Sequence, residues 1–287
     1  MIRFNASDPP MLGDAGKEPM PVSHDCHLDP CFTDSGIAKI LETIPLESIK
    51  AKPPTQKRHE RVYTNNIPRS ELLKQLEDPD GDVWIVLHEI EDTPILRHVF
   101  REMATALRES LPAPYGRVTL CTGSLFISRG RATTPYHLDY GSNLLLQLRG
   151  SKHFLAFSPN DPELVPRQSL HEFFGGECNP PSLNYQPSFE KKALVLDLEP
   201  GMGVYMPSTS PHCTETRTQE LSLTISLSFV APRVDVLRRS VLFDARLPGF
   251  TFVPIVMKCA IVAFYENLLH ALGGNQPRHK SFKPLAP

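Results

Sequence analysis

The middle of the chain constrains the fold most. Within residues 117–230, seven strand-length runs follow one another: "GSLFISRG", "ATTPYHLD", "NLLLQLRG", "KHFLAFSP", "KALVLDLEPG", "GVYMP" and "LSLTISLSFVA". Short strands at regular spacing, punctuated by Gly, Pro, Asn and Ser, can hide their apolar faces only against one another, as a sandwich or a small barrel. The spacing breaks once. Residues 160–192 are too many for an ordinary connection and predict a lid or binding insertion. "RGSK", between two of the runs, reads as a two-residue Gly-Ser hairpin.

Helical patterns flank this region. In "DSGIAKILETI" the residues Ile37, Ile40, Leu41 and Ile44 share one face, with Asp34 as N-cap candidate and Pro45 as the stop. "IPRSELLKQLED" reads as a second short helix and "DVWIVLHEI" as a buried strand. "DTPILRHVFREMATALRESLP" is the clearest helix, with Ile95, Val99, Met103 and Leu107 on its apolar stripe and Pro94 suited to its first turn. Residues 254–272 are apolar on nearly every side and end at Gly273-Gly274, a C-cap signal. Such a helix must be covered, either by the arm of its own chain or by a second copy. The expected organisation is an N-terminal arm (1–33), a catalytic domain (34–230) with its insertion at 160–192, and a helical extension (231–287) that offers a homodimer face at 254–272.

A chain of 287 residues with 40% hydrophobic content suits one catalytic-size domain with extensions. Its 30 basic and 32 acidic residues include no run of like charge, so the footprint of a nucleic-acid binder is missing. No stretch has the length of uncharged apolar sequence that a membrane span needs, and even residues 255–272 contain Lys258 and Glu266. The first twenty residues lack the apolar centre of a signal peptide. The six cysteines are scattered with no CxxC pair, which predicts reduced thiols and a cytoplasmic location.

The triplet His-Leu-Asp occurs twice, in "CHLDPC" at His27 to Asp29 and in "YHLDYG" at His137 to Asp139. A His and a carboxylate two residues apart on a strand point to one face and can present two metal ligands. The first copy lies in a ligand-rich stretch with His24, Asp25, Cys26 and Cys31. Its Cys-x4-Cys spacing has no second pair downstream, and Pro30 argues against a strand, so a structural or solvated role is expected. The second copy lies between strand-like runs, at the mouth of the barrel or sandwich. "EPGMGVYMPSTSPHCTET" can return a third ligand, His212, to that mouth. Two His and one Asp form the facial triad that binds Fe(II) and leaves three positions open, enough for a chelating 2-oxo acid and dioxygen. The far carboxylate of such an acid needs a buried cation. Lys152, thirteen residues after Asp139 and just past the hairpin, is read as returning on the neighbouring strand to supply it.

Taken together, "TTPYHLDYGSNLLLQLRGSKHFLAFSP" and "LEPGMGVYMPSTSPHCTETRTQELSLTISLSF" resemble the JmjC and cupin-like branch of the Fe(II)/2-oxoglutarate-dependent oxygenases, and within it the hypoxia-inducible-factor asparaginyl hydroxylase type. The resemblance covers residues 120–230. It implies a mainly β fold with flanking helices around a double-stranded β-helix, the jelly-roll core of cupins. It also implies that His137, Asp139 and His212 bind iron, that Thr134 and Lys152 hold the distal carboxylate of 2-oxoglutarate, and that Asn143 and Ser228 line the same pocket. Pro211 stands where the family often has an aromatic residue.

The expected activity is oxidation of a C–H bond by Fe(II), 2-oxoglutarate and O2, with release of succinate and CO2. The expected substrate is peptidyl or amino-acid-like, since near-neutral charge does not favour a strongly basic tail. Tyr136, Tyr140 and Gly141, at the rim of the mouth, are the candidate substrate contacts. Demethylation or oxidation of a small metabolite is the alternative within the family. A cupin isomerase or lyase holding another metal, or a non-catalytic binding module, is the alternative outside it.

Overall fold

The structure, a computed structural model, describes residues 2–4, 18–51, 64–65, 67–110, 120–177, 180–216, 218–230, 232–250, 252–271 and 283–284. Residues 1 and 5–17 of the arm, the proline-containing connection after Ala51 and the Gly273-Gly274 cap lie outside the described residues. The strands are β1 (Ile2–Phe4), β2 (Met20–His24), β3 (Ile49–Ala51), β4 (Thr64–Asn65), β5 (Val83–His88), β6 (Leu120–Arg129), β7 (Thr133–His137), β8 (Ser142–Arg149), β9 (Lys152–Ala156), β10 (Leu194–Leu198), β11 (Met202–Met206), β12 (His212–Glu215), β13 (Ser222–Val230) and β14 (Lys283–Pro284). The helices are α1 (Asp34–Thr43), α2 (Arg69–Glu77), α3 (Arg97–Ser110), α4 (Arg167–Phe174), α5 (Pro232–Arg246) and α6 (Ile255–Ala271).

Two antiparallel sheets face each other. The large one runs β1-β2-β11-β8-β13-β6-β5-β3-β4 with β14 against β6, and the small one β10-β9-β12-β7. From β6 to β9 the chain changes sheet at every strand, and again from β10 to β13, which is the winding of a jelly roll. The fold is therefore mainly β with flanking helices and a jelly-roll core, as the sequence predicts.

The Gly-Ser connection behaves differently from its expectation. β8 is already paired on both edges, by β11 and β13, so β9 has no edge there to join. Gly150 takes φ +61°, and a Cβ at that position would lie 2.7 Å from the Leu221 carbonyl. The chain turns a corner into the other sheet, and Lys152 arrives from across the cavity rather than from a neighbouring strand.

Two smaller expectations also shift. Thr33 caps α1, its side chain accepting from Gly36 N, which places Asp34 inside the first turn. Pro94 belongs to the turn ahead of α3. The arm is built into the fold, because β2 extends the large sheet against β11.

The faces of the large sheet are used unequally. Its outer face carries Ile85, Leu87, Leu125, Ile127, Leu144, Leu146, Ile225 and Leu227, packed under α1 and α3 in the main hydrophobic core. The alternate positions turn inward, and many are polar: Ser124, Asn143, Gln147, Thr224, Ser226 and Ser228. A sandwich interior that is normally hydrocarbon is here partly polar, which costs stability unless each group finds a partner. Gln147 does so by donating to Ser222 Oγ at 2.9 Å and accepting from Thr224 Oγ1 at 2.8 Å.

The insertion is a packed layer. Leu164, Val165, Phe173, Phe174 and Phe189 join Val241 and Leu242 of α5 over Leu155, on the outer face of the small sheet. α6 then lies on α5. Lys258, buried, donates to Asp244 at 2.6 Å, and Arg238 holds Glu266 at 2.6 Å. Among the described residues no helix is long and apolar enough to cross a membrane, and Cys26, Cys31, Cys213 and Cys259 are free thiols.

Candidate metal centre

β7 ends at His137 and β12 begins at His212, and the two are register partners across the small sheet. Their rings lie 4.1 Å apart by centroid. Each commits one nitrogen to a backbone carbonyl: His137 Nδ1 to Pro135 O at 2.8 Å and His212 Nδ1 to Ser210 O at 3.0 Å. A carbonyl can only accept, so each Nδ1 carries a proton, which leaves Nε2 as the atom each ring can offer a metal. Both Nε2 atoms face Asp139, His137 to Oδ1 at 3.8 Å and His212 to Oδ2 at 3.7 Å.

Two imidazoles and one carboxylate, converging at that distance, are the donor set of the facial triad. They fit a divalent first-row metal. Phe154 stacks on His212, 5.8 Å away and 8° from parallel, which fixes that ring further.

The loop between β11 and His212 is strained and pinned. Thr209 has φ +62°, unusual for a β-branched residue. Its N–H donates to the Asp139 carbonyl at 3.0 Å, while Ser208 Oγ donates to Tyr140 O and Ser210 Oγ to Phe157 O. These bonds lock the segment carrying Asp139 to the segment carrying His212.

Asn143, from β8, donates to Asp139 Oδ2 at 2.7 Å, and Ser228, its register partner on β13, donates to Asn143 Oδ1 at 3.2 Å. Both line the cavity, and both also orient the Asp139 carboxylate. The expected Ser228 position thus rests on a strand register that places it inward.

The cavity holds about 230 Å³ and is lined by His137, Asp139 and His212 together with Thr134, Asn143, Lys152 and Ser228. Thr134 reaches it through a bulge. The register passes from His212 opposite His137 to Thr214 opposite Thr134, so Cys213 of β12 faces two residues of β7, Pro135 and Tyr136. In a regular strand a position three before His137 would point out of the barrel. Lys152 is buried with its ammonium 5.7 Å from the Phe126 ring centroid, and burial pushes its pKa down to about 7.

The three candidate substrate residues lie elsewhere. Tyr136 turns to the outer side of β7, donating to Leu164 O and packing edge-on against Phe157. Tyr140 packs against Phe174 beneath the insertion. Gly141 is pressed on β13, where a Cβ would lie 2.7 Å from Phe229 O. None of them lines the cavity.

The wall that does face it, beyond the ligands, includes Lys50 of β3 and Trp84, Val86 and His88 of β5. His88 Nδ1 is hydrogen-bonded to Ser124 Oγ at 3.1 Å. The signal was present in the sequence: Trp84 and His88 interrupt an apolar run at the period of a strand, which marks one face as different from the other.

The polar-lined jelly roll with its His-Asp-His corner defines a cupin-type protein. Residues 43–229 match the family described as cupin-like domain, and the chain belongs to that family. Among curated proteins it is similar to the HSPB1-associated protein 1 homolog of Danio rerio, 32% identical over 100 residues, a match covering 32% of this chain and 22% of that protein. HSPB1-associated protein 1 of Homo sapiens is likewise 32% identical over 100 residues, covering 32% of this chain and 20% of that protein. The match thus spans about a fifth of the length of these relatives. Among solved structures the fold is similar to that of E. coli ycfD, with TM-score 0.50, 15% identity, and coverage of 97% of this chain and 70% of that one.

Proposed function

We propose that the chain is an Fe(II)- and 2-oxoglutarate-dependent dioxygenase that hydroxylates a C–H bond of a peptidyl or amino-acid-like substrate, releasing succinate and CO2. One observation carries the reading: the buried Lys152 and Thr134 line the same cavity as His137, Asp139 and His212. A dicarboxylate co-substrate needs a buried cation for its far end, which an isomerase or lyase acting on a neutral substrate does not.

In this reading the two imidazoles and Asp139 hold Fe(II), and the metal with 2-oxoglutarate and O2 supplies the oxidising power. Lys152 and Thr134 hold the distal carboxylate. Asn143 and Ser228 keep the Asp139 carboxylate aimed, and Phe154 and Leu145 keep water from the pocket's inner end. Trp84, His88 and Lys50 form the wall that a substrate meets. A cavity of this size admits a side chain or a short extended segment, not a folded surface. Likeness to the asparaginyl hydroxylase type rests on the shared motifs. The test is anaerobic reconstitution with Fe(II), followed by 2-oxoglutarate and air. Slow succinate formation without substrate is expected, with a gain of one oxygen in an accepted peptide. Succinate no higher than in the metal-free control overturns the reading.

We also propose that α6 is a homodimer face. Its inward positions Lys258, Val262 and Glu266 recur every fourth residue against α5. Met257, Ile261, Phe264 and Leu268 stand outward at alternating four- and three-residue steps, with Phe264 70% exposed. That spacing is the seam of paired helices, and the stripe carries no charge to repel its own copy. With Val256 and Phe252, 75% and 79% exposed, it offers apolar surface on the scale of the ~800 Å² per partner that a standard interface buries. Light scattering is expected to give a dimer, and Phe264→Glu with Ile261→Glu a monomer. A monomeric wild type at micromolar concentration refutes this.

A further inference from the structure

The ligand-rich segment around the first His-Leu-Asp has a definite shape. Cys26–Leu28 and Pro30–Phe32 form two consecutive 3-10 turns, and Asp29 sits at their junction. Its Oδ1 accepts from Cys31 N at 2.9 Å. Its Oδ2 lies 2.5 Å from Nε2 of His98, which projects from α3, 69 residues further along the chain. The Cys31 side chain is buried in the same corner. One ligand atom each from Asp29, Cys31 and His98 lie within 4.8 Å of one another. None of these residues lines the cavity of the His137-Asp139-His212 centre.

We propose that Asp29, Cys31 and His98 form a second metal site that takes Zn2+ and staples the N-terminal segment to α3.

The donor set selects the ion. A thiolate excludes magnesium and calcium, which want oxygen, and sulfur with imidazole and carboxylate suits zinc in tetrahedral coordination. The backbone turn already fixes Asp29 and Cys31 relative to each other and His98 already meets Asp29, so binding has only to replace the proton shared between them. His98 is exposed, which gives the ion a path, while Cys31 is shielded from oxidants. The fourth position falls to water or to Glu102, one helical turn beyond His98 on α3. Glu102 also raises the pKa of the adjacent Cys26 thiol, second to burial, so its charge is felt in this corner.

The segment continues from β2, whose partner β11 leads into the loop that carries His212. A zinc staple would therefore fix the sheet edge on which that loop is hung, without touching the first centre. A search for paired cysteines misses such a site, because its third ligand lies on a helix far along the chain.

The test uses the full chain with His137→Ala and Asp139→Ala, which silences the first centre. The protein is reduced and titrated anaerobically with Co2+ as a spectroscopic substitute for Zn2+. One bound equivalent is expected, with a near-ultraviolet thiolate-to-cobalt charge-transfer band that Zn2+ bleaches. Cys31→Ser in this background is expected to abolish the band, and His98→Ala to lose the tight equivalent. Zn2+ is expected to raise Tm in the parent background and in neither of these variants. Absence of any tight equivalent, or a band that survives Cys31→Ser, overturns the proposal. Should Cys31→Ser fail to fold, His98→Ala decides, since that side chain stands on an exposed helix position: tight cobalt retained there also overturns it.

Discussion

Asp139→Ala is expected to lower succinate formation at least about a thousandfold, to the level of metal-free protein, because no side chain in the cavity replaces the metal's chemistry. Asp139 is the one carboxylate that faces both histidine Nε2 atoms, and it is the end of the Ser228-Asn143 hydrogen-bond chain. Its removal leaves two neutral imidazoles, a donor pair that holds Fe(II) weakly. The fold should survive, since the side chain is about one-third exposed and the loop is also pinned through its backbone. A stability change within about 1 kcal/mol is therefore expected. Iron stoichiometry, succinate yield and thermal unfolding measured on one preparation check it. Wild-type turnover in Asp139→Ala refutes the assigned centre.

Lys152→Met should separate stability from function. The buried ammonium has its pKa lowered from 10.5 to about 7 by desolvation. The unfolded chain then binds more protons than the folded one between those values, so metal-free wild type gains stability as pH rises through that window. Met fills similar space without the charge. The variant is expected to be more stable than wild type by about 2–4 kcal/mol near and below pH 7, where the folded lysine carries its charge. It is also expected to lose 2-oxoglutarate turnover by at least about a hundredfold, because the distal carboxylate is left buried and unpaired.

The same group sets a pH dependence. A bound carboxylate draws the Lys152 proton back on. In wild type the apparent affinity for 2-oxoglutarate should therefore fall about tenfold per pH unit above about 7, until the pKa of the bound state is reached. In Lys152→Met that slope should vanish. Titrations at several pH values measure it, and a flat wild-type profile contradicts the assignment of Lys152 as the carboxylate partner.

Much of this arrangement is legible in the sequence because strands announce themselves by period and by their turn residues. The three metal ligands follow from one short motif and one distal histidine, and Lys152 from its distance past a glycine. Which edge a strand joins is not legible in that way. The Gly-Ser corner looks like a hairpin until both edges of β8 are seen to be taken. Nor does plain alternation from His137 place Thr134 inward, because a bulge at Pro135 resets the phase of β7. The Trp84-His88 wall belongs to strands added outside the region of resemblance, and only the tertiary pairing of β5 with β6 brings it to the metal corner. The Asp29-Cys31-His98 corner is hidden for the same reason.

The bulge in β7 has a consequence of its own. In the proposed reading iron would be held by residues on one side of the extra residue and the co-substrate's far end by a residue on the other, so one backbone irregularity sets the phase between two chemical tasks. Deleting a residue between Thr134 and His137 would absorb the bulge and leave Thr134 two positions from His137, still on the inner face, whereas a regular strand of the present length would turn Thr134 to the outer surface. The barrel thus holds both groups on one face through an odd spacing that a regular strand could not use.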